Sequence, residues 1–445
     1  MGAEKDIIVA VELASTAIRA IAGKKEPDGT VQILAVVQEG SVGTIHKGIV
    51  DNIDKTTQAI KQVVHQINEK AGIYTKRIYV GLAGQSLCSK KNVVTRQFTE
   101  KTQITHAIID EMRDANMATE YPEAQILDMM PQEYRIANRQ VTDPVGMQGE
   151  SIEANFLNVV ARTSLKENIE KCVHDAGYEL AELLISPLCL ADTLLTVNEK
   201  QSGCALVDMG AETTTVSVYD RDILRHLAVI PLGGVEVTAD IASQSIETEE
   251  AEALKVKYGT TYRSKTGQQG SSSISLNHNR SIDELSLQEI IEARYEEIIR
   301  NIWKQIEGRS ERLLSGIVFT GGASRVKDLT EGFGKHARTD KLTRVMKGLP
   351  EGFKLAHGVT IDEPDRLYTL MALLQRGDQP CVGEPPSGEQ ELPFDKEEIK
   401  IEQEPSPSTP EPEQEPEPKK PKESLGKKFG RLWDKMNMIF EDTDV

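Results

Sequence analysis

Two short stretches of this chain, roughly 200 residues apart, repeat one pattern, and that repeat constrains the fold more than any other feature. In the first, Ile7 to Leu13 reads as a strand, Glu12-Leu13-Ala14-Ser15-Thr16 as a turn of small and hydroxylated residues, and Ala17 to Gly23 as the returning strand. In the second, Ala205-Leu206-Val207 leads into Asp208-Met209-Gly210-Ala211-Glu212-Thr213-Thr214-Thr215, and Val216 to Tyr219 returns. A tight turn of this kind cradles phosphate with backbone N–H groups and hydroxyls. A single copy is equally an ordinary hairpin. A pair describes two related lobes facing one ligand. Each lobe then offers a phosphate loop and a carboxylate, Glu12 or Asp208, able to hold Mg²⁺ through water.

The chain between and after these stretches reads as α/β. A strand at Val31 to Gln38, a helix from Gly48 to about Ala71 with Ile60, Val63, Val64 and Ile67 as its apolar stripe, and a strand at Arg77 to Leu82 complete a first lobe over residues 1–83. Residues 84–164 read as a small α+β insertion, with strands at Gln132 to Ile136 and Glu153 to Ala161 and a helix from Thr105 to about Asn116. The first lobe resumes at 165–200, with a strand at Leu180 to Ile185 and a helix from Pro187 to about Asn198. The second lobe takes 201–234 and 316–349 and encloses a smaller subdomain at 235–315. Within that subdomain residues 261–283 read as a mobile loop, and Ser286 to Leu314 as one helix. Glu252 and Lys255, three apart on a helix, share a face and equally form a solvated ion pair. Thr320-Gly321-Gly322-Ala323-Ser324 joins a strand to a helix, and its paired glycines let a flat base or ribose approach the backbone. Residues 350–376 return to the first lobe.

The end of the chain is different. Residues 377–423 show no apolar periodicity and hold most of the prolines. Between Glu384 and Pro418 stand 12 acidic residues against 2 lysines, a net of -10. Such a composition cannot bury a core and predicts a disordered linker. Residues 424–440 then carry Leu425, Phe429, Leu432, Trp433, Met436 and Ile439 on one helical face, with Phe440 at its end. Lys427, Lys428, Arg431 and Lys435 lie opposite. The same stripe would suit a helix docked on its own core. The long tether in front of it favours a helix that reaches another surface, and the cationic face suits an anionic membrane.

Composition narrows the partners. Of a formal net charge of -18 the linker supplies -10, and there is no basic stripe outside the tail, which argues against nucleic acid. Five isolated cysteines with no CxxC pair fit a reducing compartment. No stretch is long and apolar enough to span a bilayer, so the terminal helix would lie in the interface.

These motifs together resemble the actin-like ATPase superfamily, and more narrowly the FtsA family of bacterial cell-division proteins. VAVELAST is similar to the first phosphate loop, IPLGGVEVTADIA with EAEALKVKYG to the second-lobe segment, GIVFTGGASRVKDL to the adenosine loop, and MPQEYRIANRQVTDPVGMQG to the inserted subdomain. The resemblance implies an actin-like two-lobed fold that binds ATP with Mg²⁺. Glu12, Ala14, Ser15, Thr16, Asp208, Gly210, Ala211, Glu212, Thr213 and Thr214 would face the metal and phosphates. Glu252 and Lys255 would reach the ribose and base beside Gly321, Gly322 and Ala323. It further implies self-assembly into filaments, capture of the FtsZ tail near residues 235–315, anchorage at the cytoplasmic face of the inner membrane, and recruitment of other division proteins. The chain departs from the pattern at Ala14 and at Ala211-Glu212, where glycines are usual. It also has Ser186-Pro187 where active members place an acid before the proline, so the expected hydrolysis is slow. Two alternatives share the fold: a PilM-like pilus-assembly adaptor, and a kinase or chaperone ATPase.

Overall fold

A computed structural model describes residues 6–384, except 42, 138, 264–271 and 278–279. The expected linker beyond 384 and the helix expected at 424–440 lie outside the described residues.

The first lobe opens with an antiparallel meander of β1 (Ile7–Leu13), β2 (Ala17–Lys25) and β3 (Val31–Gly40). A short hairpin, β4 (Ile45–His46) and β5 (Ile49–Val50), precedes α1 (Ile53–Ala71). Asn52 caps that helix by accepting from the Lys55 N–H, and Gly72 ends it at φ 66°. Ile60, Val63, Val64 and Ile67 are its buried stripe, as the spacing predicts. The strand β6 (Arg77–Leu82) lies parallel to β1.

The insertion follows, as β7 (Cys88–Gln103), α2 (His106–Met117), β8 (Ala124–Ile136), β9 (Arg139–Val141) and β10 (Gln148–Arg162). It buries a core of its own, in which Ile109 and Met112 of α2 meet Ile152 and Phe156 of β10. Each such side chain contributes about 1.5–3 kcal/mol when fully buried. The first lobe resumes with α3 (Thr163–Asp175), β11 (Glu179–Ile185) and α4 (Ser186–Leu194). The helix expected to run from Pro187 to Asn198 stops at Leu194. Thr196 opens a new one, α5 (Val197–Ser202), with a reciprocal Thr196/Glu199 capping box.

The second lobe repeats the first. β12 (Cys204–Met209), β13 (Thr214–Asp220) and β14 (Ile223–Ile230) form another antiparallel meander. Then come α6 (Gly234–Ala242), α7 (Thr248–Tyr258), the hairpin β15 (Ser273–Leu276) and β16 (Arg280–Asp283), and α8 (Glu284–Ile306). The β15–β16 ladder corrects the expectation of a loop over 261–283, and α8 gives way to a 3₁₀ turn at Glu307–Arg312 instead of running to Leu314. The strand β17 (Ile317–Thr320), helix α9 (Leu329–His336) and strand β18 (Thr343–Val345) finish the lobe. The chain then returns through β19 (Phe353–Leu355), which pairs with β3, to α10 (Tyr368–Arg376), which packs on α4 and β1.

Sheet order makes the duplication explicit. One sheet runs β11-β6-β1-β2-β3-β19, the other β18-β17-β12-β13-β14-β7-β10-β8-β9. In each, a three-strand meander carries two parallel strands beside its first member. The insertion extends the second sheet through one residue pair, Ala228 with Cys88.

Residues 377–383, expected to open the linker, are instead strapped to the first lobe. The Tyr79 hydroxyl accepts from the backbone N–H groups of Asp378 and Gln379, and the Cys381 N–H donates to the Ile7 carbonyl at 2.8 Å.

Candidate functional site

The duplicated turns face each other across a cleft of about 540 Å³. In the first, the Ala14 N–H donates to the Ala17 carbonyl at 3.2 Å, and in the second the Gly210 N–H donates to the Thr213 carbonyl at 2.8 Å. Glu12 and Asp208 each occupy the penultimate position of their strand, so alternation aims both carboxylates into the cleft. Ala14, Ser15, Thr16, Gly210, Ala211, Glu212 and Thr213 line it as well. Thr214 does not. It begins β13, where the alternation turns its side chain away, and its hydroxyl is buried and donates to the Leu232 carbonyl at 2.8 Å. Its neighbour Thr215 takes the place in the cleft wall expected of it.

The electrostatics are those of a half-buried acid pair. Burial pushes the Glu12 carboxyl above its ordinary range, and Arg19, which donates to it at 3.1 Å, pulls the other way. Burial, with the charge of Glu12 adding, raises Asp208 to about 7. Thr320 is the register partner of Asp208 on the adjacent parallel strand. Its hydroxyl is buried without a hydrogen-bond partner. Two carboxylates and an unpaired hydroxyl in one polar corner form an oxygen-donor set suited to a hard divalent cation. Among the described residues no three His, Cys, Asp or Glu side chains converge to hold one directly, which leaves water and ligand oxygens to complete its shell.

Next to Thr320, against the same corner, Gly321 has φ 86° and ψ 163°, a conformation open essentially to glycine alone. The chain then turns through Gly322–Arg325, with the Ser324 hydroxyl donating to the Gly321 carbonyl at 2.7 Å and the Tyr295 hydroxyl to that of Ala323 at 3.3 Å. Glu252 and Lys255 line the cleft beside it. The Lys255 ammonium bonds the Gly234 carbonyl at 3.0 Å, the Thr238 hydroxyl at 2.9 Å and Glu252 at 2.6 Å. All three of its donors are therefore engaged within the protein, and it ties α7 to α6 as much as it faces the cleft.

Sequence reasoning passed over Arg19, Thr320, Arg325, Glu363 and Asp365, which also line the cleft. Arg325 pairs with Glu363 and stands 3.3 Å from Asp365, joining the second lobe to the returning first-lobe segment. Arg19 had a signal: it is a lone cation in the apolar strand AIRAIAG.

Two lobes of one strand plan, closed over a cleft between paired strand–turn–strand loops, define a member of the actin-like ATPase superfamily. The family model described as "Cell division protein FtsA" matches residues 205–368, and that described as "SHS2 domain inserted in FTSA" matches residues 84–160. The chain belongs to the FtsA family of cell-division proteins. It is similar to the cell division protein FtsA of Pseudomonas aeruginosa, 31% identical over 336 residues, with 73% of this chain and 79% of that protein covered. The Enterococcus faecalis protein is 32% identical over 340 residues, covering 74% and 76%, and the Escherichia coli K12 protein 27% over 340, covering 73% and 81%. Among solved structures, the PilM-PilN type IV pilus biogenesis complex shares the fold, with a TM-score of 0.60 at 16% identity over 84% of this chain and 99% of that one.

Proposed function

We propose that this cell-division protein binds ATP with Mg²⁺ in the interlobe cleft and polymerises. We further propose that it anchors the FtsZ ring to the cytoplasmic face of the inner membrane through residues 424–440 and recruits later division proteins there. The observation that supports the nucleotide part most strongly is the facing pair Glu12 and Asp208, each at the mouth of a phosphate loop and backed by the unpartnered Thr320 hydroxyl. Ser15, Thr16 and Thr213 would hold phosphate oxygens, Arg19 would balance their charge, and Gly321 to Ala323 would receive the adenosine. The bound metal would neutralise phosphate charge. Thermal melting with and without Mg-ATP tests this. A ligand that binds only the folded state raises the melting temperature, and Asp208→Ala should erase the shift. No binding at millimolar nucleotide would overturn it.

Ser186 opens α4 and lines the cleft, 5% exposed. A serine hydroxyl can orient water but cannot take its proton at neutral pH. ATP therefore serves here mainly to close the lobes and favour subunit contacts, with slow turnover. The FtsZ tail would dock on the small subdomain at 235–315. Family membership favours this reading over the PilM-like adaptor and the kinase or chaperone.

A further inference from the structure

Glu212 is the acidic residue of the second phosphate loop, and its carboxylate crosses the cleft. It accepts from the Lys47 backbone N–H at 2.5 Å and stands 3.2 Å from Nδ1 of His46. Lys47 and Gly48 have φ of 50° and 74°, the paired positive values of a two-residue hairpin turn, here joining β4 to β5. That turn aims successive N–H groups at the two phosphate loops. Lys47 donates to Glu212, and Gly48 donates to the Ser15 hydroxyl at 3.3 Å. Phosphate oxygens seek rows of backbone N–H groups of this kind. The Glu212 side chain is 17% exposed and lines the same cleft as Ser15 and Gly210.

We propose that Glu212 is a built-in substitute for a terminal phosphate: its carboxylate holds the Lys47 N–H and the His46 ring across the cleft, and a nucleoside triphosphate must displace it where a diphosphate need not. This rests on the nucleotide reading above. It makes Glu212 the residue that sets the preference between triphosphate and diphosphate. A third phosphate meets both a like charge and donors already taken, whereas the shorter ligand leaves the latch closed. Ligands shift such an equilibrium only by their differential affinity for the two states. Glu212 thus penalises the triphosphate selectively, and triphosphate binding opens the tie between the second loop and the β4–β5 hairpin.

The test uses the full chain with Glu212→Gln and Glu212→Ala. Calorimetric titration with Mg²⁺ and either a non-hydrolysable ATP analogue or ADP gives the ratio of affinities. Hydrogen exchange across residues 45–50 without nucleotide reports the latch itself. Both variants should bind the triphosphate analogue about tenfold more tightly than wild type, the order of one hydrogen bond to a charged group. ADP affinity should stay within about twofold, and the hairpin amides should exchange faster. Equal changes for both nucleotides, or an unchanged ratio, overturn the latch while leaving the nucleotide site intact. Unchanged exchange at 45–50 also overturns it. If neither wild type nor variants bind either nucleotide, the nucleotide reading itself fails and this proposal with it.

Discussion

A β-carbon on Gly321 would lie 2.4 Å from the Asp208 carboxylate oxygen and 2.5 Å from the Met209 carbonyl. Gly321 and the Asp208 carboxylate are thus packed against one another, and neither can change alone. Gly321→Ala should cost about 3 kcal/mol from its backbone conformation alone, and more from the collision. Gly322→Ala, next door, meets nothing within 4 Å and should stay within about 0.5 kcal/mol of wild type. Urea unfolding midpoints of the two variants separate the positions, and equal midpoints would contradict the account.

Asp208 gives the stability a pH dependence. Its carboxyl is near 7 in the fold against an ordinary value near 4, so the folded state holds a proton that the unfolded chain has lost. Its contribution therefore turns unfavourable as pH rises from about 4 to about 7, by roughly 1.4 kcal/mol per pH unit, and is constant above. Asp208→Asn should raise the melting temperature relative to wild type more at pH 8 than at pH 5. A gain independent of pH would show that Asp208 ionises normally.

Turnover should be slow. Losing a positioned general base costs about 10²–10⁴ in rate, so phosphate release from wild type should stay well below about one per second. Ser186→Glu should release phosphate faster and shorten filament lifetime. The Ser186 hydroxyl would lie 2.5 Å from a β-carbon on Gly81, so a glutamate must extend away from that strand into the cleft. Wild-type turnover of several per second would refute the inference from Ser186.

Membrane anchorage is tested on residues 424–440. Burying Phe429, Leu432 and Trp433 would supply about 1.5–3 kcal/mol each, and each nearby cation about 1 kcal/mol. Trp433→Glu should release the protein from anionic liposomes, while Lys427→Ala should weaken binding and sharpen its salt dependence. Co-sedimentation of Trp433→Glu equal to wild type would exclude this helix as the anchor.

The strands that carry the cleft were legible because their apolar runs end at turn residues on both sides: β1, β6 and the β12–β13 pair lie where the pattern puts them. β7 was not, because CSKKNVVTRQFTEKTQ is polar on both faces and the strand is held by its β10 partner rather than by burial. The break before α5 had a signal, Thr196 with Glu199 three residues on, hidden inside an apolar run. Thr214 was misplaced because three consecutive threonines give no phase, and only the β13 register decides which of them face the cleft. Lys255 has the expected neighbours, but tertiary packing fixed its three acceptors and sequence spacing could not show them.

The inserted subdomain has two allegiances. Its polypeptide leaves β6 at Gly84 and re-enters the first lobe at α3, yet its sheet is continuous with that of the second lobe. The join is narrow: Ala228 with Cys88, the Leu227 N–H to the Ser89 hydroxyl at 2.8 Å, and Gln132, whose amide donates to the Leu224 carbonyl at 3.0 Å and accepts from Arg225 at 2.9 Å. Gly84, at φ 139°, opens the insertion on the chain side. Because the body is fastened at one end to both lobes, any rotation of one lobe against the other would act on that root. β7 runs away from that root for 16 residues, roughly 50 Å at strand spacing. Each degree of rotation at Cys88 would then carry Gln103 through about 0.9 Å over that span, so the geometry is that of a pointer, whose tip lies far from its root.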